Sequence, residues 1–309
     1  MLHAMRIGII GGSGIGERLI DQMDARHFRR VMPETPFGHP SAPIVVGTYK
    51  PPLGPPIELA MLKRHGEGHT IPPHKVPSRA NIFAMKLLGV THIVATGAVG
   101  SLCEEIRPGE IVVCDQIIDR TVSRPRTFFD SAAVHVEFAE PFCAVTREWL
   151  LEAGAKQQFK VHACATYIAM EGPAFSTRAE STMHRNLGGH VVGMTAMPEA
   201  RLAREAEIAY ALVALPTDYD CWKDRPRPPD EQTLLAEILS NVKKVGDAAF
   251  ALIETALADV SRIAGQPSPA HDALRLAIWS DKNRINKEEV LRLAPLWGRY
   301  FGLPAHAVI

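Results

Sequence analysis

The sequence has little of what marks a secreted, membrane or nucleic-acid-binding protein. Its 309 residues include five cysteines, none of them in a Cys-x-x-Cys pair, which argues against a disulfide framework and against a zinc knuckle. Neither charge predominates, since Lys+Arg and Asp+Glu both total 34, so nothing favours nucleic acid or an anionic membrane as a partner. No apolar run approaches the roughly 20 residues of a membrane helix, and no secretory signal is recognisable. We expect a cytoplasmic protein with a small-molecule partner.

The chain does contain an alternation of short β-branched runs with amphipathic stretches, which predicts an α/β fold. Strands are predicted at Ile7–Ile10, Ile57–Leu62, His92–Thr96, Ile111–Cys114, Val191–Met194 and Ile208–Leu215. Helices are predicted at Ser78–Leu88, Thr146–Ala153, Thr177–Leu187, Pro198–Glu205, Asp230 to about Val260, and Asn286–Ala294 with Pro295 as its stop.

A glycine-rich turn follows the first predicted strand. The segment Gly11-Gly12-Ser13-Gly14 offers backbone N–H groups that can surround a phosphate, although a tight structural turn would have the same sequence. The spacing departs from the dinucleotide-binding pattern, because Glu17 stands where the third glycine should be. Tyr219 and Lys223 have the Tyr-x-x-x-Lys spacing of a short-chain dehydrogenase, but Tyr219 follows a strand instead of lying on a long helix. An NAD(P)-dependent dehydrogenase is therefore a remote alternative.

An arginine and a histidine adjoin at the end of another predicted strand. Arg64 and His65 precede Gly66, which leaves them room to face an anion. The order Arg-His-Gly-Glu also resembles the histidine-phosphatase signature, but that family carries it on its first strand, whereas a glycine-loop unit precedes it here. Glycines and prolines separate His65, His69 and His74 and prevent a helical His-x-x-x-His pair, so no metal site is predicted.

Four further side chains are placed where chemistry is feasible. Thr195 precedes a helix whose first turn carries Pro198, so a hydroxyl and free backbone N–H groups would face one spot that suits phosphate. Asp218 and Asp220 follow an apolar strand, where burial and mutual repulsion would raise at least one pKa, as proton transfer requires. A calcium site or a surface pair would show the same spacing. Phe175 is either a core aromatic or a platform on which a flat ligand stacks.

Together these segments resemble the trimeric purine nucleoside phosphorylase family, and within it the members that act on 5′-methylthioadenosine. The resemblance spans about residues 6 to 260 and rests on Ile7–Gly14, Thr35–Gly38, Arg64–Gly66, Ala80–Ile82, Gly100–Leu102, Asp115–Thr121, Ala139–Cys143, Glu171–Pro173, Met194–Thr195 and Thr217–Trp222. It implies one α/β domain, residues 1–264, with a central mixed β-sheet flanked by helices. Residues 265–309 would form a C-terminal helical extension packed on the same domain or on a neighbouring subunit.

The resemblance implies phosphorolysis of 5′-methylthioadenosine to adenine and 5-methylthioribose 1-phosphate by a homotrimer or a dimer of trimers. Inorganic phosphate would be a co-substrate, with no metal and no organic cofactor. Phosphate would be held by Ser13, Arg64, His65, Thr195 and the backbone N–H of Ala98. The alternative is a member of the family that acts on 6-oxopurine nucleosides or on methylthioinosine.

The same resemblance assigns the nucleoside contacts. Met194 would lie along the ribose and Phe175 against the purine. Asp218 and Asp220 would lie at the N6/N7 edge, where a protonated Asp218 would donate to N7 as the general acid. Members that act on 6-oxopurines have asparagine and glutamate where this sequence has Asp218 and Ser176, so adenine is the expected base.

Four more positions concern the rim of the site. His135 matches a residue that reaches into the neighbouring subunit's site, and Leu234 falls where the family has an apolar wall for the methylthio group. Gly97 stands where adenosine-type members usually have a hydroxyl residue beside the phosphate, and Val76–Arg79 lacks the usual tyrosine. Fewer hydroxyls predict either weaker phosphate binding or a chain that binds nucleosides without turning them over.

Overall fold

The computed structural model describes residues 5–11, 14–23, 28–223 and 231–303, and all their side chains except those of 231–235 and 237–239. Two of the predicted site groups, Ser13 and the side chain of Leu234, therefore lie outside the described residues. In the described part of the chain, no helix combines the length and the apolar character needed to span a membrane.

The strands of the described residues alternate with helices, as the sequence predicts. The strands are β1 Arg6–Gly11, β2 Phe28–Val31, β3 Ile44–Tyr49, β4 Ile57–Lys63, β5 Val90–Ser101, β6 Ile111–Val113, β7 Gln116–Asp119, β8 Val161–His162, β9 Thr166–Ala169, β10 Val191–Gly193 and β11 Ala209–Tyr219. The helices are α1 Ile15–Asp21, α2 Ser78–Leu87, α3 Ala144–Ala155, α4 Arg178–Asn186, α5 Ala196–Glu205, α6 Glu231–Ala258, α7 Lys287–Arg292 and α8 Ala294–Trp297.

All these strands belong to one mixed sheet, which confirms the predicted fold class. Along its main path the order is β2-β3-β4-β1-β5-β10-β9-β7, and β11 pairs with both β5 and β6. The strands β4, β1, β5 and β11 run parallel to one another, whereas β3 runs antiparallel to β4 and β10 antiparallel to β5. The carboxyl ends of β1, β4, β5 and β11 therefore lie on one side, which we call the strand-end edge.

The sheet separates two hydrophobic cores. Helices α2 and α5 cover one face and α1, α3 and α6 cover the other. Successive side chains of β11 enter the two cores in turn, because side chains alternate across a strand: Tyr210, Leu212 and Ala214 enter the first core, and Ala211, Val213 and Leu215 the second. Burying each large apolar side chain contributes about 1.5 to 3 kcal/mol to stability. This burial on both faces explains why β11 is apolar throughout, up to the polar residues at its end.

The C-terminal segment packs on the same sheet. Leu274 and Trp297 enter the first core, and the buried Glu207 accepts hydrogen bonds from the backbone N–H of Leu274 (3.1 Å) and the Tyr300 hydroxyl (2.6 Å). The division of the chain after residue 264 stays a prediction. The expectation of one helix ended by Pro295 was wrong, because α7 ends at Arg292 and the proline lies in the first turn of α8, where its missing N–H costs nothing.

Candidate active site

The strand-end edge gathers most of the predicted site residues. In the register of β5 with β11, Ala98 pairs with Leu215 and Gly100 with Asp218, so residues more than a hundred positions apart become neighbours. In open α/β sheets, ligands bind beyond the carboxyl ends of parallel strands, which is the position of this cluster.

Thr195 lies against the exit of β5. A Cβ atom built on Gly97 would stand 3.3 Å from Thr195 Oγ1, so these two residues face each other directly. The backbone N–H of Thr195 donates to the Tyr167 hydroxyl (3.3 Å). Met197 has an extended backbone (φ −116°, ψ 137°), so the regular turn of α5 begins after it. A side-chain hydroxyl at position 97, which this sequence lacks, would stand beside that of Thr195.

Arg64 is held in place by a partner that the sequence analysis did not identify. Its Nε and Nη2 each donate to the Glu199 carboxylate at 2.8 Å, and Nη1 donates to the Thr96 carbonyl at 2.8 Å. Both side chains of the pair are fully buried, and the Tyr210 hydroxyl donates to Glu199 as well (2.8 Å). Planar, bidentate pairing of this kind orients a guanidinium as well as neutralising it.

This pairing limits what Arg64 can offer an anion. Nη2 also faces the Ile10 carbonyl at 3.5 Å, so four of the five guanidinium N–H groups have acceptors among the described residues. One N–H on Nη1 is left to donate to a ligand. If Arg64 binds an anion, as the sequence predicts, that single N–H group is the one that contacts it.

His65 is buried and tied to the loop that follows it. Its Nδ1 lies 2.8 Å from the Ile71 carbonyl, which only accepts, so Nδ1 carries the proton. The ring stacks on His69 with centroids 4.2 Å apart. Burial lowers the pKa of His65, and the neighbouring Arg64 acts in the same direction. A neutral His65 presents an acceptor at Nε2, so it can donate to phosphate from that atom only when protonated.

The two carboxylates at the end of β11 differ in their surroundings. Asp218 accepts from the Thr217 hydroxyl (2.8 Å) and is half-buried. Asp220 is buried, its backbone N–H donates to the Ser101 carbonyl (3.0 Å), and its Cβ lies 3.1 Å from a Cβ built on Gly100. Because Gly100 has no side chain, the backbone of β5 approaches both carboxylates closely.

The segments that carry Met194 and Gly172 form one wall. A Cβ on Gly172 would stand 2.5 Å from Met194 Sδ, and the φ of 64° at Gly172 lies in the left-handed region that favours glycine. Arg124 joins these segments, since it donates from Nε to Glu171 (3.0 Å) and from Nη1 to the carbonyls of Met194 (2.5 Å) and Met197 (2.7 Å). No motif in the sequence marked Arg124.

Glu171 belongs to the same wall and carries a negative charge. Its carboxylate accepts from the backbone N–H groups of Val122 (2.5 Å) and Ser123 (3.2 Å). Burial acts to raise the pKa of Glu171, but these two hydrogen bonds and the Arg124 guanidinium outweigh it and lower the pKa to about 2. The carboxylate therefore stays ionised, and its bonds to the segment of residues 122–124 persist across the physiological pH range.

Phe175 and Ser176 lie at the open side of the cluster. Phe175 is 86% exposed, so it is not a core aromatic. The Ser176 carbonyl accepts from the Cys221 thiol at 3.2 Å, which ties the segment before α4 to the end of β11. This contact brings Ser176 beside Asp220.

His135 lies apart from these contacts. Its backbone N–H donates to the Ala277 carbonyl (2.9 Å), and its ring meets Trp279 edge-on with centroids 4.8 Å apart. Both side chains are exposed, Trp279 by 72%. Trp279 was not predicted from the sequence, although an exposed tryptophan is itself a signal of a contact surface.

No metal-binding cluster of three or more histidine, cysteine or acidic side chains occurs within the described ranges. The arrangement combines hydroxyl, backbone N–H and arginine donors at one end with two carboxylates at the other. Such a site can bind an anion next to a group that needs a proton donor.

Known proteins resemble this chain over nearly its whole length. The phosphorylase superfamily model matches residues 6–258. An S-methyl-5'-thioadenosine phosphorylase of Geobacter sulfurreducens is 44% identical over 296 residues, which cover 95% of this chain and 98% of that protein. The S-methyl-5'-thioadenosine phosphorylase of Chloroflexus aurantiacus is 43% identical and covers 97% of this chain and 100% of its own length.

Solved structures agree with the sequence relatives. The crystal structure of a methylthioadenosine phosphorylase from an antarctic soil metagenomic library has a TM-score of 0.84 and 42% identity, and covers 97% of this chain and 99% of its own. A mutant adenosine/methylthioadenosine phosphorylase from Schistosoma mansoni, in complex with methylthioadenosine, has a TM-score of 0.71 and 36% identity over 85% of this chain and 93% of its own. The chain therefore belongs to the phosphorylase superfamily and, within it, to the S-methyl-5'-thioadenosine phosphorylase family.

Proposed function

We propose that this chain cleaves 5′-methylthioadenosine with inorganic phosphate and releases adenine and 5-methylthioribose 1-phosphate. The observation that carries this proposal is the stretch of β5 from Gly97 to Gly100. One end touches Thr195, and the other faces Asp218 and Asp220. At a rise of about 3.3 Å per residue the stretch spans about 10 Å, enough for an anion, a ribose and the five-membered ring of a purine. The similarity to the S-methyl-5'-thioadenosine phosphorylases described above supports the same substrate and reaction.

At the anion end, phosphate binds where donors converge. We assign to it the Thr195 hydroxyl, the backbone N–H of Ala98, the Arg64 N–H that has no acceptor among the described residues, and a protonated His65, together with Ser13. Glu199 balances the charge of Arg64, so the dianion is attracted chiefly by hydrogen bonds here. The absence of a hydroxyl at Gly97 removes one more donor, which supports modest phosphate affinity.

In the reaction the bond between ribose C1′ and purine N9 breaks and its electron pair moves to the purine. Positive charge develops on the sugar, where the phosphate anion stabilises it, and a phosphate oxygen then bonds to C1′. A protonated Asp218 gives its proton to N7 of the leaving adenine, and general acid help of this kind contributes about 10² to 10⁴ in rate. Met194 and Gly172 line the ribose, and Phe175 stacks on the base.

The carboxylate pair selects the base. An ionised Asp220 accepts from the N6 amino group of adenine, whereas the O6 of hypoxanthine would face a carboxylate and leave buried groups unpaired. Ser176, next to Asp220, carries no charge that would favour N1–H. The proposed substrate is therefore an adenine nucleoside, with the apolar wall at Leu234 for its methylthio group.

The proposal extends to assembly and location. We infer a homotrimer, or a dimer of trimers, in which the exposed pair His135 and Trp279 reaches the site of the neighbouring subunit. The reaction needs no metal and no organic cofactor, and it takes place in the cytoplasm. Because the chain belongs to the phosphorylase superfamily, we abandon the dehydrogenase and histidine-phosphatase alternatives.

The test is release of free base from 5′-methylthioadenosine, adenosine, inosine and methylthioinosine, each with and without phosphate and with EDTA. We expect adenine only when phosphate is present, no effect of EDTA, and kcat/KM for methylthioadenosine at least about a hundredfold above that for inosine. The Asp218→Asn variant should lose most of this turnover. Equal cleavage of methylthioinosine would favour the 6-oxopurine alternative, and phosphate-independent release would refute phosphorolysis.

A further inference from the structure

Helix α4 turns two polar side chains inward, toward the end of β11. Ser181 is 0% and His184 3% exposed, and neither Ser181 Oγ nor His184 Nδ1 has a hydrogen-bond partner among the described residues. The third member of this group, which we call the α4 cluster, is Asp220, whose buried Oδ2 also lacks a partner there. A buried polar atom without a partner costs about 1 to 3 kcal/mol, so three of them together call for a reason.

Helix α4 lies against the end of β11, since the Arg185 guanidinium lies 3.8 Å from the centre of the Trp222 ring, and charges on the two elements act on each other. Burial lowers the pKa of His184, while the carboxylates of Asp220 and Glu180 act to raise it and Arg120 acts to lower it. Burial raises the pKa of the neighbouring Cys221 thiol, with Asp220 acting the same way and the Ser181 hydroxyl and Arg178 against it.

The proposed reaction requires a hydrogen-bond donor beside the Asp220 carboxylate. Asp220 must stay ionised to accept from the amino group of adenine, yet a bound purine excludes water from the carboxylate. One carboxylate oxygen can face the base. The other, Oδ2, is buried without a hydrogen-bond partner among the described residues, and a buried carboxylate oxygen without a donor is costly.

We propose that His184 is a positioning residue for Asp220: when a purine occupies the site, a ring N–H of His184 donates to Asp220 Oδ2 and turns the other carboxylate oxygen toward N6. This role rests on the proposed function. Arg120, beyond the end of β7, and Glu180, one turn before His184, are the other charged groups that face the ring. In the neutral ring one N–H is available, and in the imidazolium both are.

A dependence on pH follows from this arrangement. Near neutral pH the ring is neutral and acts by its hydrogen bond alone. As the pH falls, His184 gains a proton, and its hydrogen bond to the carboxylate becomes charge-assisted and stronger. In a variant that lacks the imidazole, the ratio of the variant KM to the wild-type KM for methylthioadenosine should therefore be larger at about pH 5.5 than at pH 7.

Three variants test the role. His184→Phe removes the hydrogen bond and should raise KM for methylthioadenosine roughly tenfold at pH 7.5, the loss typical of a hydrogen bond to a charged group, and more at pH 5.5. His184→Gln keeps a donor and should restore KM at pH 7.5 but not at pH 5.5. His92→Gln is the matched control, because His92 is equally buried, with an unpaired Nε2, but lies against His271. It should leave the pH profile of KM unchanged.

A second measurement does not depend on turnover. The ring signal of His184, identified among the 13 histidines by its absence from His184→Gln, is titrated by NMR in the wild type and in Asp220→Asn. Removing the carboxylate should lower the pKa of His184 by about one pH unit. An unchanged pKa, or an unchanged KM in His184→Phe at both pH values, would overturn the inference. If the wild type released no adenine, the proposed function would fail, while the NMR titration would still decide whether His184 and Asp220 interact.

Discussion

Glu199 determines how Arg64 can act. The pair joins the end of β4 to the first turn of α5, and both side chains are fully buried. Breaking such a pair by removing one partner costs about 3 to 5 kcal/mol, because the remaining charge is buried without compensation. The pair thus holds two elements of the anion end in a fixed relation before any ligand arrives.

We predict that Glu199→Gln lowers the free energy of unfolding by roughly 3 kcal/mol in phosphate-free buffer. Added phosphate should recover much of this loss, because the anion becomes the counter-ion of Arg64. The measurement is Tm with and without phosphate. The control is Asp130→Asn, which removes the 63% exposed partner of Arg79 and should change Tm little. An equal phosphate-induced rise of Tm in Glu199→Gln and wild type would contradict the prediction.

Single residues also show where prediction from sequence ends. Arg64 and Asp218 were identifiable because each follows an apolar strand, where a polar side chain is conspicuous. Glu199 was not, since a glutamate in the first turn of a helix is ordinary. Its burial comes from a pairing with a residue 135 positions away, which no local pattern contains. Arg124 escaped notice for the same reason, because its acceptors are carbonyl groups of distant segments.

At the scale of elements, every predicted strand has an apolar run, whereas the strands that were not predicted, apart from β3, are of mixed polarity or only two residues long. All six predicted strands are present, and β11 extends to Tyr219. In β3 the β-branched run Ile44–Val46 carried a signal that the analysis passed over. The strands β7 and β9 have four residues each and mixed polarity, so their extended form depends on pairing with each other and with β10.

The end of α5 carries a carboxyl group that makes stability depend on pH. Glu205 is 3% exposed and accepts from the backbone N–H of Phe128 (2.8 Å). Burial raises its pKa to about 7, against the effect of that hydrogen bond. Because the folded pKa lies above the unfolded value, the protonated form stabilises the fold below about pH 4.5, and this contribution is lost as the pH rises through 7.

We therefore predict that Glu205→Gln, which is neutral at every pH and keeps an acceptor for Phe128, raises the free energy of unfolding by roughly 2 kcal/mol at pH 8.5 and by little at pH 4.5. Urea unfolding at the two pH values measures this. Glu34→Gln, at an exposed position, serves as the control and should show no such difference. A variant less stable than wild type at pH 8.5 would show that Glu205 is ionised and needed.

For the whole molecule, the question is whether one chain contains a complete site. His135 and Trp279 form an exposed aromatic pair and make no contact with the carboxylates of their own chain among the described hydrogen bonds and ring contacts. Two amphipathic side chains at the surface suit an interface, since each has an apolar body to bury and a polar tip.

Mixing an inactive Asp218→Asn chain with an inactive His135→Ala chain tests this arrangement. If each site combines Asp218 of one chain with His135 of a neighbour, random exchange between trimers should restore about a quarter of the sites. The mixture is assayed for adenine release after mild dissociation and reassembly, with each variant treated alone as the control. No recovery despite proven exchange of subunits, or a fully active monomer in sedimentation, would refute shared sites.

The pairing of β5 with β11 also has a consequence for the time course of folding. Gly100 and Asp218 meet only when a loop of more than a hundred residues has closed, and closing it costs entropy before any contact compensates. No early, locally stabilised fragment of the chain can contain both ends of the site. Ligand recognition is thus a late event on the folding pathway, and a refolding chain that regains activity has already completed this long-range strand pairing.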